Sequence, residues 1–123
     1  MKFIAFIVTV LFTVTTYSQT AGGLSFESKV GNFGEIKQNT PAEIEFVFKN
    51  TAQETIEIKN VKSNTRAISF KIKDKQVEPG QTSSLTIIHN AKDLGPVRNT
   101  ISIHVSGQPS IYTLAVRGNV VKP

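Results

Sequence analysis

The stretch Ala42-Glu43-Ile44-Glu45-Phe46-Val47-Phe48-Lys49 decides the fold. Ile44, Phe46 and Phe48 fall on one face of an extended chain, while Glu43, Glu45 and Lys49 share the other with Val47. Successive side chains of a strand point to opposite faces, so this two-residue period marks a strand with one buried side. Outward from it the pattern recurs. Ile56 and Ile58 alternate with Thr55, Glu57 and Lys59, and Ile68, Phe70 and Ile72 alternate with Ser69, Lys71 and Lys73. Leu85 with Ile87, then Ile101, Ile103 and Val105, then Tyr112, Leu114 and Val116 continue it. From Leu24 onward no window carries a sustained apolar pattern at helical spacing. Turn signals separate the runs: Gly31-Asn32, Asn39-Thr40-Pro41, Asn50-Thr51, Pro79-Gly80, Gly95-Pro96 and Gly107-Gln108-Pro109. That many half-apolar strands cannot bury their faces in one flat sheet, so the pattern predicts an all-β, antiparallel sandwich of about seven to eight strands.

At 123 residues and 39% hydrophobic composition, the chain suffices for one domain with a substantial core. It has no cysteine and no tryptophan. A disulfide framework, a zinc–cysteine cluster and thiol catalysis are thereby excluded, as is the Cys, Trp, Cys signature of antibody domains. The first segment reads as a secretory signal peptide. Lys2 precedes a nearly unbroken apolar run from Phe3 to Val14, followed by Thr16, Tyr17, Ser18 and Gln19. Cleavage is expected after Ser18, leaving a single domain over residues 19–123. The alternative, a membrane anchor, asks for about 20 apolar residues, and this run gives way to Thr13, Thr15 and Thr16. No transmembrane segment is expected once the signal is removed.

Three strings carry a resemblance: Asn32-Phe33-Gly34-Glu35-Ile36, then Ile44 to Thr51, then Ile56-Glu57-Ile58-Lys59-Asn60-Val61. They are similar to the secreted bacterial family catalogued as domain of unknown function 1573. The similarity continues through Val77-Glu78-Pro79-Gly80, Leu85-Thr86-Ile87, Ile101-Ser102-Ile103 and Leu114 to Val120. The resemblance implies an immunoglobulin-like sandwich, akin to sperm-protein, cilia-associated (ASH) and pilus-chaperone domains, and a binding or scaffolding role rather than an enzymatic one. Two departures matter. Where that family carries an S-C-G-C-T string, this chain has Ser63-Asn64-Thr65-Arg66, so no thiol or metal role of those cysteines can operate. The glycine of its N-T-G turn is Ala52, which puts a left-handed turn there in question.

Residues able to do chemistry are few. A nucleophile needs a base oriented by an acid, and the histidines are only His89 and His104. His89 shares the inward phase of Leu85 and Ile87 and reads as a packing residue, with a ligand or base as the competing role. His104 takes the outward phase of its strand. His89 and Asp93 alone do not make a metal site, and no glycine-rich phosphate loop occurs. Neither catalytic residues nor cofactors are expected.

Charge is unevenly spread. The formal net charge is +5, and residues 59–75 hold Lys59, Lys62, Arg66, Lys71, Lys73 and Lys75 against Asp74 alone. Lys71, Lys73 and Lys75 alternate onto one face of a strand, with Lys62 and Arg66 ahead of it. Two readings stand side by side. Lys62, Arg66, Lys71, Lys73 and Lys75 form a patch for an anionic partner such as an acidic glycan, a lipid headgroup or an acidic protein surface. Alternatively, the lysines protect a sheet edge from mispairing. Nucleic acid is not an expected partner, because the basic stretch lacks outward aromatics for stacking. The sequence therefore predicts a monomeric, non-enzymatic binding or scaffolding module of the bacterial periplasm or cell surface. The alternative is a chaperone-like module that adds a strand at an exposed sheet edge.

Overall fold

A computed structural model describes residues 22–123. The expected signal peptide, Met1–Ser18, lies outside the described residues. Nine strands follow one another: β1 (Leu24–Phe26), β2 (Val30–Lys37), β3 (Ala42–Asn50), β4 (Ile56–Ser63), β5 (Ile68–Ile72), β6 (Gln76–Val77), β7 (Thr82–His89), β8 (Gly95–Val105) and β9 (Ile111–Val121). They form a four-stranded sheet in the order β1-β3-β7-β5 and a five-stranded sheet in the order β2-β9-β8-β4-β6. The count exceeds the expected seven to eight because β1 and β6 are too short to show a period.

Each strand of the sequence pattern turns its apolar face inward. Phe46, Phe48, Leu85 and Ile87 from the four-stranded sheet meet Ile56, Ile58, Ile101, Ile103, Leu114 and Val116 from the five-stranded one, and all are buried. A second, smaller cluster of Ile36, Ala91, Val97 and Val120 packs apart from this core. One pair departs from the antiparallel expectation: β2 runs parallel to β9, with Val30 beside Ala115 and Lys37 beside Val121. After β1 the chain passes to the other sheet and lies beside the last strand, so the crossover a parallel pair requires is the remainder of the domain. Gly31 sits where β2 meets β3, and a Cβ there would lie 2.5 Å from Ile44 Cδ1 and 2.8 Å from Phe46 Cζ.

The Asn-Thr pair that ends β3 does more than turn the chain. Asn50 is fully buried and every polar group it has is bonded. Its N–H donates to the Gln81 carbonyl at 3.0 Å, and its carbonyl accepts from the Gly80 N–H at 2.8 Å. Its side-chain amide donates to the carbonyls of Glu54 and Val77, both at 2.8 Å, and its Oδ1 accepts from the Ala52 N–H at 2.8 Å. Asn50 thus ties β3 of one sheet to β6 of the other and to the turns on either side. The Ala52 question is answered by the same contacts: among non-glycine residues only Asn39 and Ala91 have positive φ in the described chain, so the turn needs no glycine at 52. Thr51 adds a clasp to the start of the domain, its N–H and Oγ1 both donating to the Gly23 carbonyl at 2.8 Å.

Replacing Asn50 by alanine leaves the Val77 and Glu54 carbonyls and the Ala52 N–H without their partner, at an expected cost of about 2–4 kcal/mol in urea unfolding. Asn50→Asp is expected to be at least as damaging, because a carboxylate would face two carbonyls it cannot donate to.

Candidate functional site

The basic segment folds into a frame. β5 is an edge strand of the four-stranded sheet, and β4 is covered by β6 only at Ile56 and Glu57. Past the bond from the Ile58 N–H to the Lys75 carbonyl, 2.7 Å, that side of β4 has no strand partner among the described residues. The chain crosses between the sheets twice here, through residues 64–67 and again through residues 73–75. The two open edges and Lys75 of the second crossing border a groove of about 300 Å³, lined by Ile58, Lys59, Asn60, Val61, Phe70, Ile72 and Lys75. All of its lining except Ile58 comes from the segment that carries the charge excess.

Hydrogen bonding fixes which backbone groups the β5 edge presents. Asn90 N–H donates to the Ala67 carbonyl at 2.9 Å, and Lys73 N–H donates to the Ser84 carbonyl at 3.0 Å. With antiparallel alternation, Ala67, Ser69, Lys71 and Lys73 turn their peptide groups toward β7. Ile68, Phe70 and Ile72 turn theirs outward, away from the sheet.

The residues expected as a patch are only partly brought together. Lys71 lies on the outer face of β5 and Lys73 follows one residue past its end, still bonded to Ser84 of β7, both exposed. Lys75 does not continue that face as expected. The chain leaves the sheet after Lys73, where the Asp74 N–H donates to Ser83 Oγ at 3.2 Å, and Lys75 comes to line the groove instead. Lys62 is exposed on β4 opposite Ser102, and Arg66 sits in the first crossing; neither lines the groove. Lys59 does line it, and sequence reasoning left it out of the patch. A bulge between Ile58 and Asn60 shifts the register against β8, and nothing in the residue types signals it. A second feature hidden in the linear charge count is the exposed pair Arg98 and Arg117, directly opposite each other on β8 and β9. Another groove, of about 250 Å³, runs beside β1 along Ser25, Phe26, Val47 and Phe48 and carries no comparable charge excess.

His89 belongs to packing, as its phase implies. It is 6% exposed, its ring lies edge-on to Phe33 at 6.1 Å between centroids, and its Nδ1 accepts the Ala91 N–H at 2.9 Å. That bond puts the proton of the neutral ring on Nε2 and holds Ala91 in its left-handed conformation, φ 58°. Burial pushes the imidazole below its ordinary value of 6.5, with Asp93 opposing. Among the described residues no three His, Cys, Asp or Glu come together in a way that could hold a metal ion. No helix of the described residues is long and apolar enough to cross a membrane.

Because the folded state resists protonating His89, the unfolded state binds the extra proton first as pH falls. His89 therefore contributes stability that is full above about pH 6.5 and lost as the pH drops below it. In urea melts between about pH 7.5 and 5.5, His89→Gln is expected to flatten this slope.

A protein of unknown function from Porphyromonas gingivalis W83 superposes with a TM-score of 0.71 at 16% identity, over 89% of this chain and 51% of that one. The chain thus spans about half the length of that protein. The ASH/PapD-like domain 7 of human CEP192 superposes with a TM-score of 0.68 at 8% identity, over 94% and 98% of the two chains. A family 123 glycoside hydrolase from Clostridium perfringens does so at 0.68 and 10%, over 85% of this chain but only 28% of the hydrolase. At such identities the likeness is one of fold, and the fold is an immunoglobulin-like β-sandwich. No curated protein matches the chain in sequence. The model of one family does match, over residues 24–120, and the chain belongs to that family, described as protein of unknown function (DUF1573).

Proposed function

We propose that this protein is an exported, non-enzymatic binding or scaffolding module of the bacterial periplasm or cell surface, which holds an anionic partner at the β4–β5 groove. One observation carries the reading. A single stretch of chain, residues 59–75, supplies both the charge excess and all but Ile58 of the lining of a groove between two unpaired sheet edges. A gatekeeping role alone accounts for lysines on the outer face of β5, but not for Lys59 and Lys75 beside half-buried Val61, Phe70 and Ile72. Cations grouped around a concave apolar surface concentrate an anion and bind it with less screening than a flat surface does. His89, the candidate base, is buried with its Nδ1 occupied, which supports a role other than catalysis.

Exchanging Lys71, Lys73 and Lys75 together for glutamine is expected to weaken capture of sulfated glycans, anionic vesicles or acidic peptides by at least tenfold at low salt. Wild-type capture should fall steeply as salt is raised. The same loss of charge at Lys37, Lys49 and Lys92, exposed elsewhere, should leave capture nearly unchanged. Equal effects of the two triple variants would mean that net charge, not the groove, is responsible. Export has its own readout: intact mass of the secreted protein should place the amino terminus at Gln19 or within a few residues, and a retained Met1 in membrane fractions would reverse that reading.

A further inference from the structure

We infer that the partner at this groove is an extended acidic peptide, a stretch alternating acidic with apolar residues that joins the four-stranded sheet as a fifth strand beside β5. The inference rests on the anionic-partner reading above and names the chemistry of that partner. Three features of one edge specify it. Ile68, Phe70 and Ile72 turn their N–H and C=O groups away from β7, and a peptide strand is the ligand that satisfies such a row at its own repeat. On the inner side, Phe70 and Ile72 line the groove with Val61 of the facing edge, so residues of the added strand next to Phe70 and Ile72 would sit over an apolar floor. On the outer side, Lys71 and Lys73 stand at a spacing of two, so the intervening residues of the added strand would meet cations. The alternation of the edge thus calls for the complementary alternation in its ligand.

The lysines also decide against a second copy of this chain. Antiparallel pairing of β5 with another β5 would bring the two lysine rows together, and like charges side by side destabilise a strand pair. An acidic strand reverses the sign of that interaction. Edge protection and recognition are then one property: the edge repels itself and accepts its opposite.

The test uses the full-length protein and four synthetic ten-residue peptides, one alternating Glu and Val, one alternating Lys and Val, and two Glu–Val peptides N-methylated at every Glu or at every Val, so that one or the other edge of the backbone cannot donate. The Glu–Val peptide should bind at low salt, and the Lys–Val peptide should not. N-methylation on the pairing edge should abolish binding, and Lys71→Gln with Lys73→Gln should weaken it at least tenfold. In hydrogen-exchange NMR the amides of Ile68, Phe70 and Ile72 should become protected on binding. Binding indifferent to N-methylation on either edge, or protection confined to other strands, would overturn the strand-addition inference. So would self-association of the unmodified protein through β5 in place of peptide capture. Capture of sulfated glycan or anionic vesicles without the Glu–Val peptide would overturn this inference while leaving the anionic-partner reading in place. Capture of none of these probes would overturn both.

Discussion

One buried side chain holds the two sheets in register. An apolar interface between sheets is non-directional, so it resists separation but says little about sliding. Asn50 supplies direction. From the end of β3 it reaches the Val77 carbonyl in the opposite sheet, and its own peptide group is locked to Gly80 and Gln81 in the turn leading to β7. With all its donors and acceptors used, any slip of β3 against β6 would break several bonds at once in a place water does not reach. The placement of β6 and the path from β6 to β7 depend on that amide and its peptide group.

The fold was legible because its code is local. Ile44, Phe46 and Phe48 read as one face without knowledge of any other strand, and the same holds for Ile101 and Ile103 or Leu114 and Val116. What escaped the sequence is relational. Gln76-Val77 is too short to show a period, though Val77 is fully buried, and the parallel partnership of β2 with β9 joins residues far apart in the chain. Asn50-Thr51 reads as a turn, and nothing in the residue types announces that its amide spans two sheets.

The candidate site shows the same division. The charge excess of residues 59–75 is a property of the list of residues and could be counted. The shape that gives it meaning, two open edges bordering one groove, appears only when the strands are assigned to sheets. Lys75 moved from a strand face into the lining because the chain turns at Asp74, and Lys59 joined it through a bulge. Alternation of Lys71 and Lys73 survived because Lys71 lies in the ladder with β7 and Lys73, one residue past its end, still bonds to Ser84.

The parallel pairing of β2 with β9 has a consequence in time. A chain is made from its amino end, and β9 is the last strand of the domain, yet it lies between β2 and β8 in the five-stranded sheet. Until residues 111–121 have emerged, β2 has no ladder partner and Ile36 lacks the neighbour Val120. Contacts between sequence-distant segments close slowly, since the loop entropy is lost before they form. The four-stranded sheet and the β4–β8 pair can form without β9, whereas β2 joins its sheet only in a late step governed by the final strand.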